Sequence, residues 1–311
     1  MDRRKHIIIF TASIALVIVA VCVYLSQLSA TVTSNLMTTV NEISRHDVET
    51  IEGSLDNSYS RIEAISRRIR SYDDLTIAEA QTQMGVSAAS SALFTTLYLL
   101  DDQGNLFSSS HATIPADQHT YDEMFSQGRE RFVVLHTKAY GRLETTDKSL
   151  IYGVRIEPMV IEGRMFVAML GRSDVSTISD QLLIESFGGR GVSSVVNARG
   201  DYIVDASLAT NLAGHDNFYD ALETSRIEDG LTVEDVRRNI SEGKSFSITC
   251  VTAEGSSLVL SFAPVEGTTW SFIMAVPTSV FEDRFAPFIT MTIGMLVTVV
   301  VVLVVMMMLL Y

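Results

Sequence analysis

Two long apolar segments bracket the chain and constrain its fold more than any other feature. Residues 7–28 carry no charged side chain, and neither do residues 288–311. A helix rises about 1.5 Å per residue, so each segment can cross a hydrocarbon layer of about 30 Å. We therefore predict transmembrane helices over residues 7–28 and 287–311. The polar segment between them must then fold on one side of the membrane.

Basic residues at the N-terminus predict the orientation of these spans. Arg3, Arg4 and Lys5 precede the first span, and an excess of Lys and Arg marks the cytoplasmic end of a membrane helix. We expect residues 1–6 in the cytoplasm and residues 29–286 in the extracellular or periplasmic space, in a multi-pass plasma-membrane protein. The alternative is a signal peptide cleaved near Ala30. Apolar cores of signal peptides usually span about 7 to 15 residues, which favours an uncleaved anchor.

Charge and cysteine content exclude several kinds of partner. The formal net charge is −14, and an acidic surface repels the phosphates of nucleic acids. Cys22 lies in the predicted first span and Cys250 in the outer segment, so we expect the outer segment to fold without an internal disulfide. The sequence contains neither a CxxC motif nor a close Cys/His cluster, and we predict no metal and no other cofactor.

A long amphipathic helix is predicted after the first span, because apolar residues recur at steps of three and four. From residue 28 to residue 72 it would extend about 68 Å. We expect its stripe to pack on the domain's own sheet, or on a second subunit over the membrane-proximal half, as in a parallel coiled coil. Thr76 and Glu79 have capping-box spacing, which predicts a second helix. The stripe comprises Val32, Leu36, Val40, Ile43, Val48, Ile51, Leu55, Tyr59, Ile62, Ile65, Ile69 and Tyr72.

Two similar hairpins indicate that the outer segment contains a duplicated unit. Residues 97–108 predict two strands joined by a turn at Gly104, and residues 194–204 repeat the pattern around Gly200, at a spacing of 96 residues. Strands beginning at Ser149 and Ser257 match in the same way at a spacing of 108 residues. We therefore predict an α+β fold with two tandem antiparallel sheets and helices to one side of each.

With these elements in place, the sequence resembles the double Cache sensor domains of bacterial transmembrane receptors. The resemblance covers residues 30–286, and the closing segment 263–277, with a glycine turn, Trp270 and an apolar strand, is its most specific part. The resemblance implies two tandem PAS-like units. We expect a stalk helix over residues 29–79, a membrane-distal unit over residues 80–190 and a membrane-proximal unit over residues 191–286. The other carriers are the long first helix, the hairpins 100–105 and 196–201, and the strand exit 171–175.

The outer segment contains no recognisable catalytic set. Its histidines are scattered, and neither a Gly-x-Ser-x-Gly elbow nor a His-Glu-x-x-His motif occurs in the sequence. Asp101 and Asp102 are adjacent, and neighbours on a strand point to opposite faces, so we interpret them as turn residues. We expect no catalytic activity from this chain, while the resemblance implies a histidine kinase or diguanylate cyclase as the full-length protein.

A binding site for a small molecule is the better hypothesis. In double Cache proteins the membrane-distal unit usually holds the ligand between its sheet and the loops that cross it, which implies a site within residues 80–190. Arg can hold a carboxylate through two nitrogens, and Tyr adds an apolar wall with a hydroxyl tip. This chemistry suits an anionic or zwitterionic metabolite. The candidate ligand residues are Tyr98, His111, Tyr121, Arg129, Arg131, Tyr140, Tyr152, Arg155, Arg172 and Asp174.

These residue types also have an ordinary structural interpretation. Arg and Tyr are common on solvated sheet faces, and Ser173 or Asp174 would equally serve as the cap of the next helix. Tyr121 is not followed by the Arg-x-Trp-Tyr sequence of amino-acid-binding family members. The resemblance therefore does not specify an amino acid as the ligand.

The resulting prediction is the sensing region of a bacterial membrane receptor. Ligand binding would shift helices and act through the second span on a cytoplasmic histidine kinase or GGDEF diguanylate cyclase, in a homodimer. The sequence ends at Tyr311, close to the predicted membrane, so we expect it to be a fragment of such a receptor. The alternatives are a chemoreceptor sensor region and a doubly anchored binding or assembly protein without signalling output.

Overall fold

The computed structural model describes residues 3–91, 93–116, 130–136, 149–175, 191–204 and 217–310. Within this part of the chain, two antiparallel sheets share one apolar core with a long helix. The helices are α1 (Arg3–Arg70), α2 (Ile77–Ala89), α3 (Phe218–Glu223), α4 (Val233–Ser241) and α5 (Ser279–Leu310).

Six strands of each sheet lie in the described part of the chain. The first sheet contains β1 (Thr96–Asp101), β2 (Asn105–Ser108), β3 (Thr113–Pro115), β4 (Arg131–His136), β5 (Ser149–Ile161) and β6 (Arg164–Asp174). The second sheet contains β7 (Val192–Asn197), β8 (Tyr202–Val204), β9 (Arg226–Ile227), β10 (Phe246–Val251), β11 (Ser257–Pro264) and β12 (Trp270–Pro277). The strand orders are β3-β2-β1-β6-β5-β4 and β8-β7-β12-β11-β10-β9.

Helix α1 forms the spine along which both sheets pack. The predicted stripe is confirmed over the described side chains, while Tyr72 lies beyond the end of the helix and is exposed. The stripe also contains buried polar residues that its apolar pattern did not reveal, namely Ser44, Asp47, Ser58 and Ser66. The buried apolar residues of the stripe are Val40, Val48, Ile51, Leu55, Tyr59, Ile62 and Ile69.

Helical backbone runs through the predicted first span and through residues 288–310 of the second. Over the residues that the structure describes, no helix has both the length and the apolar character needed to cross a membrane. The side chains of residues 3–18, 25, 28–36, 281–289, 303 and 306–310 lie outside that description. The two spans therefore stay predictions.

The duplicated unit is visible in the strand order. The run β2-β1-β6-β5-β4 corresponds in order and direction to β8-β7-β12-β11-β10. The first sheet adds β3 beyond β2, and the second adds β9 beyond β10. The predicted tandem α+β fold with two antiparallel sheets is therefore confirmed.

The matching hairpins use the same side-chain device. Asp101 Oδ1 accepts hydrogen bonds from the backbone N–H groups of Gln103 and Asn105, at 3.0 and 2.7 Å. Asn197 Oδ1 accepts from the N–H groups of Arg199 and Asp201, at 2.9 and 3.0 Å. In each turn a glycine supplies positive φ, 82° at position 104 and 83° at position 200, which other residues rarely adopt. The turn interpretation of Asp101 is confirmed.

Helices cover the two sheets differently, so one expectation needs correction. The face of each sheet that carries the shared core packs on α1. On the second sheet, α3 and α4 cover the opposite face through a separate apolar cluster around Phe218, Leu222 and Val236. The expectation of helices to one side of each sheet was therefore wrong for the second unit. Its strands are apolar on both faces, and each face needs a covering layer.

Candidate functional site

The candidate site lies on the face of the first sheet that points away from α1. Side chains alternate between the two faces of a strand, and here both faces are apolar. The far face has its own buried cluster, separate from the core shared with α1. It is formed by Tyr98, Leu100, Leu106, Phe132, Val134, Ile151, Ala168 and Leu170. This cluster forms an apolar floor beside which polar side chains lie.

Polar residues gather at one end of this floor. Arg172 pairs with Ile151, and Asp174 pairs with Ser149 on the neighbouring strand, so alternation places all three polar side chains on the far face. Tyr98 of β1 pairs with Leu170 of β6, and Leu170 precedes Arg172 by two residues on the same strand. The register thus brings together three predicted ligand residues, Tyr98, Arg172 and Asp174, and adds Ser149.

Two polar atoms at this end lack partners among the described residues. Nε of Arg172 and Oγ of Ser149 are both buried without a hydrogen bond there. A buried polar group without a partner costs about 1–3 kcal/mol, so each such group calls for an explanation. A guanidinium beside a hydroxyl, with an apolar floor next to them, is suited to bind a carboxylate whose carbon chain lies on the floor.

Arg155 lies away from this end of the floor. It pairs with Ala168 and follows Ile151 by four residues along β5, which corresponds to about 13 Å of strand. Arg155 also borders a cleft beside α1, together with Glu63, Arg67 and other residues. A small ligand held at Arg172 therefore does not need Arg155.

Two further predicted residues lie on the opposite face, against α1. Tyr152 is 1% exposed and packs edge-on against Tyr59 and Phe94, with ring centroids 6.0 and 6.1 Å apart. Burial, with Tyr59 nearby, raises the pKa of Tyr152 far above its usual range, so its hydroxyl stays protonated. Arg131 binds carboxylates on α1. The structure separates both side chains from the candidate site.

The remaining predicted residues do not join this group in the described part of the chain. His111 is an exposed turn residue between β2 and β3 with a positive φ of 63°, and its N–H donates to the carbonyl oxygen of Ser108 at 3.0 Å. Tyr121, Arg129 and Tyr140 lie outside the described residues. Ser173, an alternative helix cap, is buried and donates to the carbonyl oxygen of Leu93.

Sequence reasoning missed three members of the site. Ser149 opens β5, while Phe132 and Val134 belong to β4 and form part of the floor. Their signal was the alternation itself, since Phe132 and Val134 are apolar and two residues apart along β4. Only the pairing of β4 with β5 shows that Phe132 and Val134 lie beside Ile151 and Gly153.

The equivalent face of the second sheet is filled by its own helices. Tyr219 and Phe218 from α3 and Val236 from α4 pack with Phe262 and Ile273 of the sheet. Burial raises the pKa of Tyr219, and its hydroxyl donates to the carbonyl oxygen of Ala198 at 3.2 Å. The two units therefore differ where a ligand could lie, and the first unit is the better candidate.

Comparisons with known proteins give matches in structure alone. No protein-family model and no curated protein matches the chain. The extracellular domain of mmHK1S-Z3, described as a histidine kinase, is 12% identical, with a TM-score of 0.57 over 82% of this chain and 98% of that one. The ligand-binding domain of the Pseudomonas aeruginosa PAO1 amino acid chemoreceptor PctC, solved with GABA, is 16% identical, with a TM-score of 0.53 over 78% and 100%.

A third similar structure is the sensory domain of the Campylobacter jejuni chemoreceptor Tlp3 with isoleucine bound. It is 9% identical, with a TM-score of 0.52 over 81% of this chain and 97% of that one. At these identities the likeness concerns the fold. The chain has the fold of extracellular sensory domains of chemoreceptors and histidine kinases, and the resemblance to double Cache domains is confirmed at that level.

Proposed function

We propose that this chain is the sensing region of a membrane receptor and binds a small carboxylate-bearing molecule on the far face of its first sheet. The observation that carries the proposal is the pair of buried atoms Arg172 Nε and Ser149 Oγ, which have no hydrogen-bond partner among the described residues and lie at the end of an apolar floor. Asp174, half-buried beside them, would accept an ammonium group. A zwitterion with a short apolar chain fits all three.

The comparisons support this ligand class without specifying the ligand. GABA was solved with one similar domain and isoleucine with another, and both carry one carboxylate, one ammonium group and an aliphatic chain. The same chemistry is available here from Arg172, Asp174 and the floor around Leu170 and Ile151. Tyr98 would close one side of the site with its ring. Arg131 and Tyr152 take no part in this proposal, since both pack on α1.

The receptor role includes a membrane topology. We propose that residues 7–28 and 287–311 span the membrane, that residues 1–6 are cytoplasmic, and that residues 29–286 lie outside. The output we propose is a histidine kinase or a chemoreceptor signalling module, because the similar domains belong to these two kinds of receptor. Single cysteines at Asp2 and Glu254 test the topology in intact cells. Only the second should react with a membrane-impermeant maleimide, and labelling of both or of the first alone would contradict it.

Binding is tested on the full chain in lipid nanodiscs. A thermal-shift screen with the twenty L-amino acids, GABA and succinate identifies binders, and calorimetry measures their affinities. Losing a hydrogen bond to a charged group costs about 1.5–3 kcal/mol, so Arg172→Ala should weaken binding about tenfold or more. The matched control is Arg226→Ala, which removes an exposed arginine on β9 that pairs with Glu228. Equal affinities in both variants would refute the site.

A further inference from the structure

Strand β4 lies between the candidate site and helix α1. Among the described strands it is the edge of the first sheet, paired with β5. Phe132 and Val134 belong to the far-face floor, while Val133 and Leu135 pack against the core shared with α1. Successive residues of β4 therefore contact the candidate site on one face and the core shared with α1 on the other. An edge strand can shift with fewer broken hydrogen bonds than a central one.

Arg131 ties this strand to α1. Its Nε and Nη2 lie 2.9 and 2.7 Å from Glu63 Oε1, and its Nη1 lies 2.9 Å from Asp56 Oδ1. Its Cζ is 5.7 Å from the centroid of the Tyr59 ring. Asp56, Tyr59 and Glu63 follow one another at three and four residues, so they form one ridge on the helix. The planar guanidinium fixes β4 to this ridge in direction as well as in distance.

The clamp is partly exposed, which limits its contribution to stability. The side chains of Arg131 and Asp56 are 38% and 74% exposed, and ion pairs in such settings contribute at most about 1 kcal/mol. A contact of this kind is weak enough to follow a moving strand without locking the domain. Its role would be to make α1 follow the position of β4.

Strand β4 also borders open space. A cavity of about 210 Å³ separates Val133 and Leu135 from the second unit, where Arg199 and Trp270 line the opposite wall. Protein interiors are close-packed, so a strand without free space beside it cannot shift without displacing its neighbours. The space beside β4 can therefore accept a shift of this strand.

We infer that β4 couples the site to α1, with Phe132 as the contact to the ligand and Arg131 as the positioning residue that moves the helix. This inference rests on the proposed function. A ligand seated on the floor displaces the Phe132 ring, β4 follows, and Arg131 draws the ridge of Asp56 and Glu63 with it. The ligand shifts this equilibrium only by its difference in affinity for the two positions.

The fold offers a substitution that imitates the ligand. A Cβ added to Gly153 would lie 1.7 Å from Phe132 Cζ, so Gly153→Ala must displace that ring without any ligand. Val134→Phe, which adds volume to the same face, serves as the second variant if Gly153→Ala fails to fold. The inference can thus be decided even when the ligand is unknown.

The experiment measures the distance from α1 to the second unit in the full chain in nanodiscs. Spin labels are placed at Glu49→Cys on α1 and Glu254→Cys in the β10–β11 turn, with Cys22→Ser and Cys250→Ser. Gly153→Ala should shift the mean distance by about 1–2 Å, the usual scale of helix displacements. When Arg131→Gln is also present, the distance change caused by Gly153→Ala should be less than half as large. The charge swap Arg131→Glu with Glu63→Arg, combined with Asp56→Asn to remove the second carboxylate, should restore it.

Arg70→Gln is the matched control, because Arg70 also links α1 to the first sheet, through Glu157 of β5 instead of β4. It should leave the Gly153→Ala shift intact. An equal shift with and without Arg131 would overturn the coupling. GABA and L-isoleucine are added separately to the spin-labelled chain that keeps Gly153, to test whether a ligand produces the same shift. Failure of both to bind counts against the proposed ligand class, whereas binding without a shift counts against the coupling.

Discussion

The ring of Phe132 lies directly over Gly153 of the neighbouring strand. The two residues are paired across β4 and β5, and a Cβ on Gly153 would meet Phe132 Cζ at 1.7 Å and Cε1 at 2.0 Å. The floor of the candidate site therefore depends on a glycine that no turn requires. Its role is to leave space for an aromatic ring.

Gly153→Ala should destabilise the chain by about 1–3 kcal/mol, the usual cost of excess volume in a packed core. Gly53→Ala is the control, since a Cβ there meets no atom within 4 Å and alanine favours a helix over glycine by about 0.5–1 kcal/mol. Urea unfolding of both variants measures the difference. Phe132→Leu should rescue part of the Gly153→Ala loss. Equal stabilities for the two alanine variants would contradict the packing described here.

The turn device of the first hairpin should tolerate an amide better than an apolar side chain. Asp101 also accepts a hydrogen bond from Arg164 Nη1 at 3.2 Å and is 1% exposed. Asp101→Asn keeps the Oδ1 acceptor, as Asn197 does in the second hairpin, whereas Asp101→Ala leaves two backbone N–H groups without it. We expect Asp101→Ala to lower the free energy of unfolding by about 1–3 kcal/mol more than Asp101→Asn does. Chemical denaturation of both variants measures the difference. A smaller loss for alanine than for asparagine would show that the duplicated turn is not stabilised this way.

Local signals in the sequence were sufficient for these hairpins and for the start of α2. At α2, Thr76 Oγ1 accepts from the N–H of Glu79 at 3.3 Å, and Glu79 Oε2 accepts from the N–H of Thr76 at 2.9 Å, as the capping-box spacing predicts. Such devices involve residues three or four apart, and their chemistry alone predicts them. The duplication follows from the same kind of signal.

The faces of the strands could not be predicted in this way. The sequence predicts both Tyr98 and Tyr152 as ligand residues, yet Tyr98 lies on the far face and Tyr152 packs on α1. Both faces of β1 and β5 are apolar, so alternation does not show which face packs on the helix. Arg131 was misplaced for the same reason, because the partners of its guanidinium are 68 and 75 residues away in the sequence.

Cys250 should report the unfolding of the second unit. Burial, with the charges of Glu228 and Asp229, raises the pKa of this thiol to about 12. At pH 8 its thiolate fraction is then roughly a thousandfold below that of a thiol of ordinary pKa, and the thiolate is the reactive form. Iodoacetamide labelling of the Cys22→Ser variant should be correspondingly slow until denaturant is added. Comparable rates in native and denatured protein would contradict this burial.

The two capping boxes should lose strength in acid. Hydrogen bonds from the Thr76 backbone and hydroxyl hold the pKa of Glu79 below its ordinary 4.5, and those from the Thr232 hydroxyl and backbone hold that of Asp235 below 3.8. Because the folded-state pKa values are depressed, this stabilisation is present above the ordinary values and is lost as the pH falls through the folded ones.

Glu79→Gln and Asp235→Asn remove the titrating groups and keep an oxygen acceptor. Hydrogen exchange of α2 and α4 between pH 6 and 3 should therefore change less with pH in the two variants than in the parent chain. In the parent, the start of α2 should open increasingly below pH 4.5 and the start of α4 below pH 3.8. An identical pH profile for variants and parent would rule out these caps as the titrating groups.

The most direct test of the account is a crystal structure of the chain with the tightest ligand from the screen. We predict a carboxylate within about 3 Å of Arg172 and Ser149 Oγ, with its carbon chain on the floor formed by Leu170 and Ile151. Density for the ligand between α1 and the second sheet, or anywhere other than this face, would contradict the account.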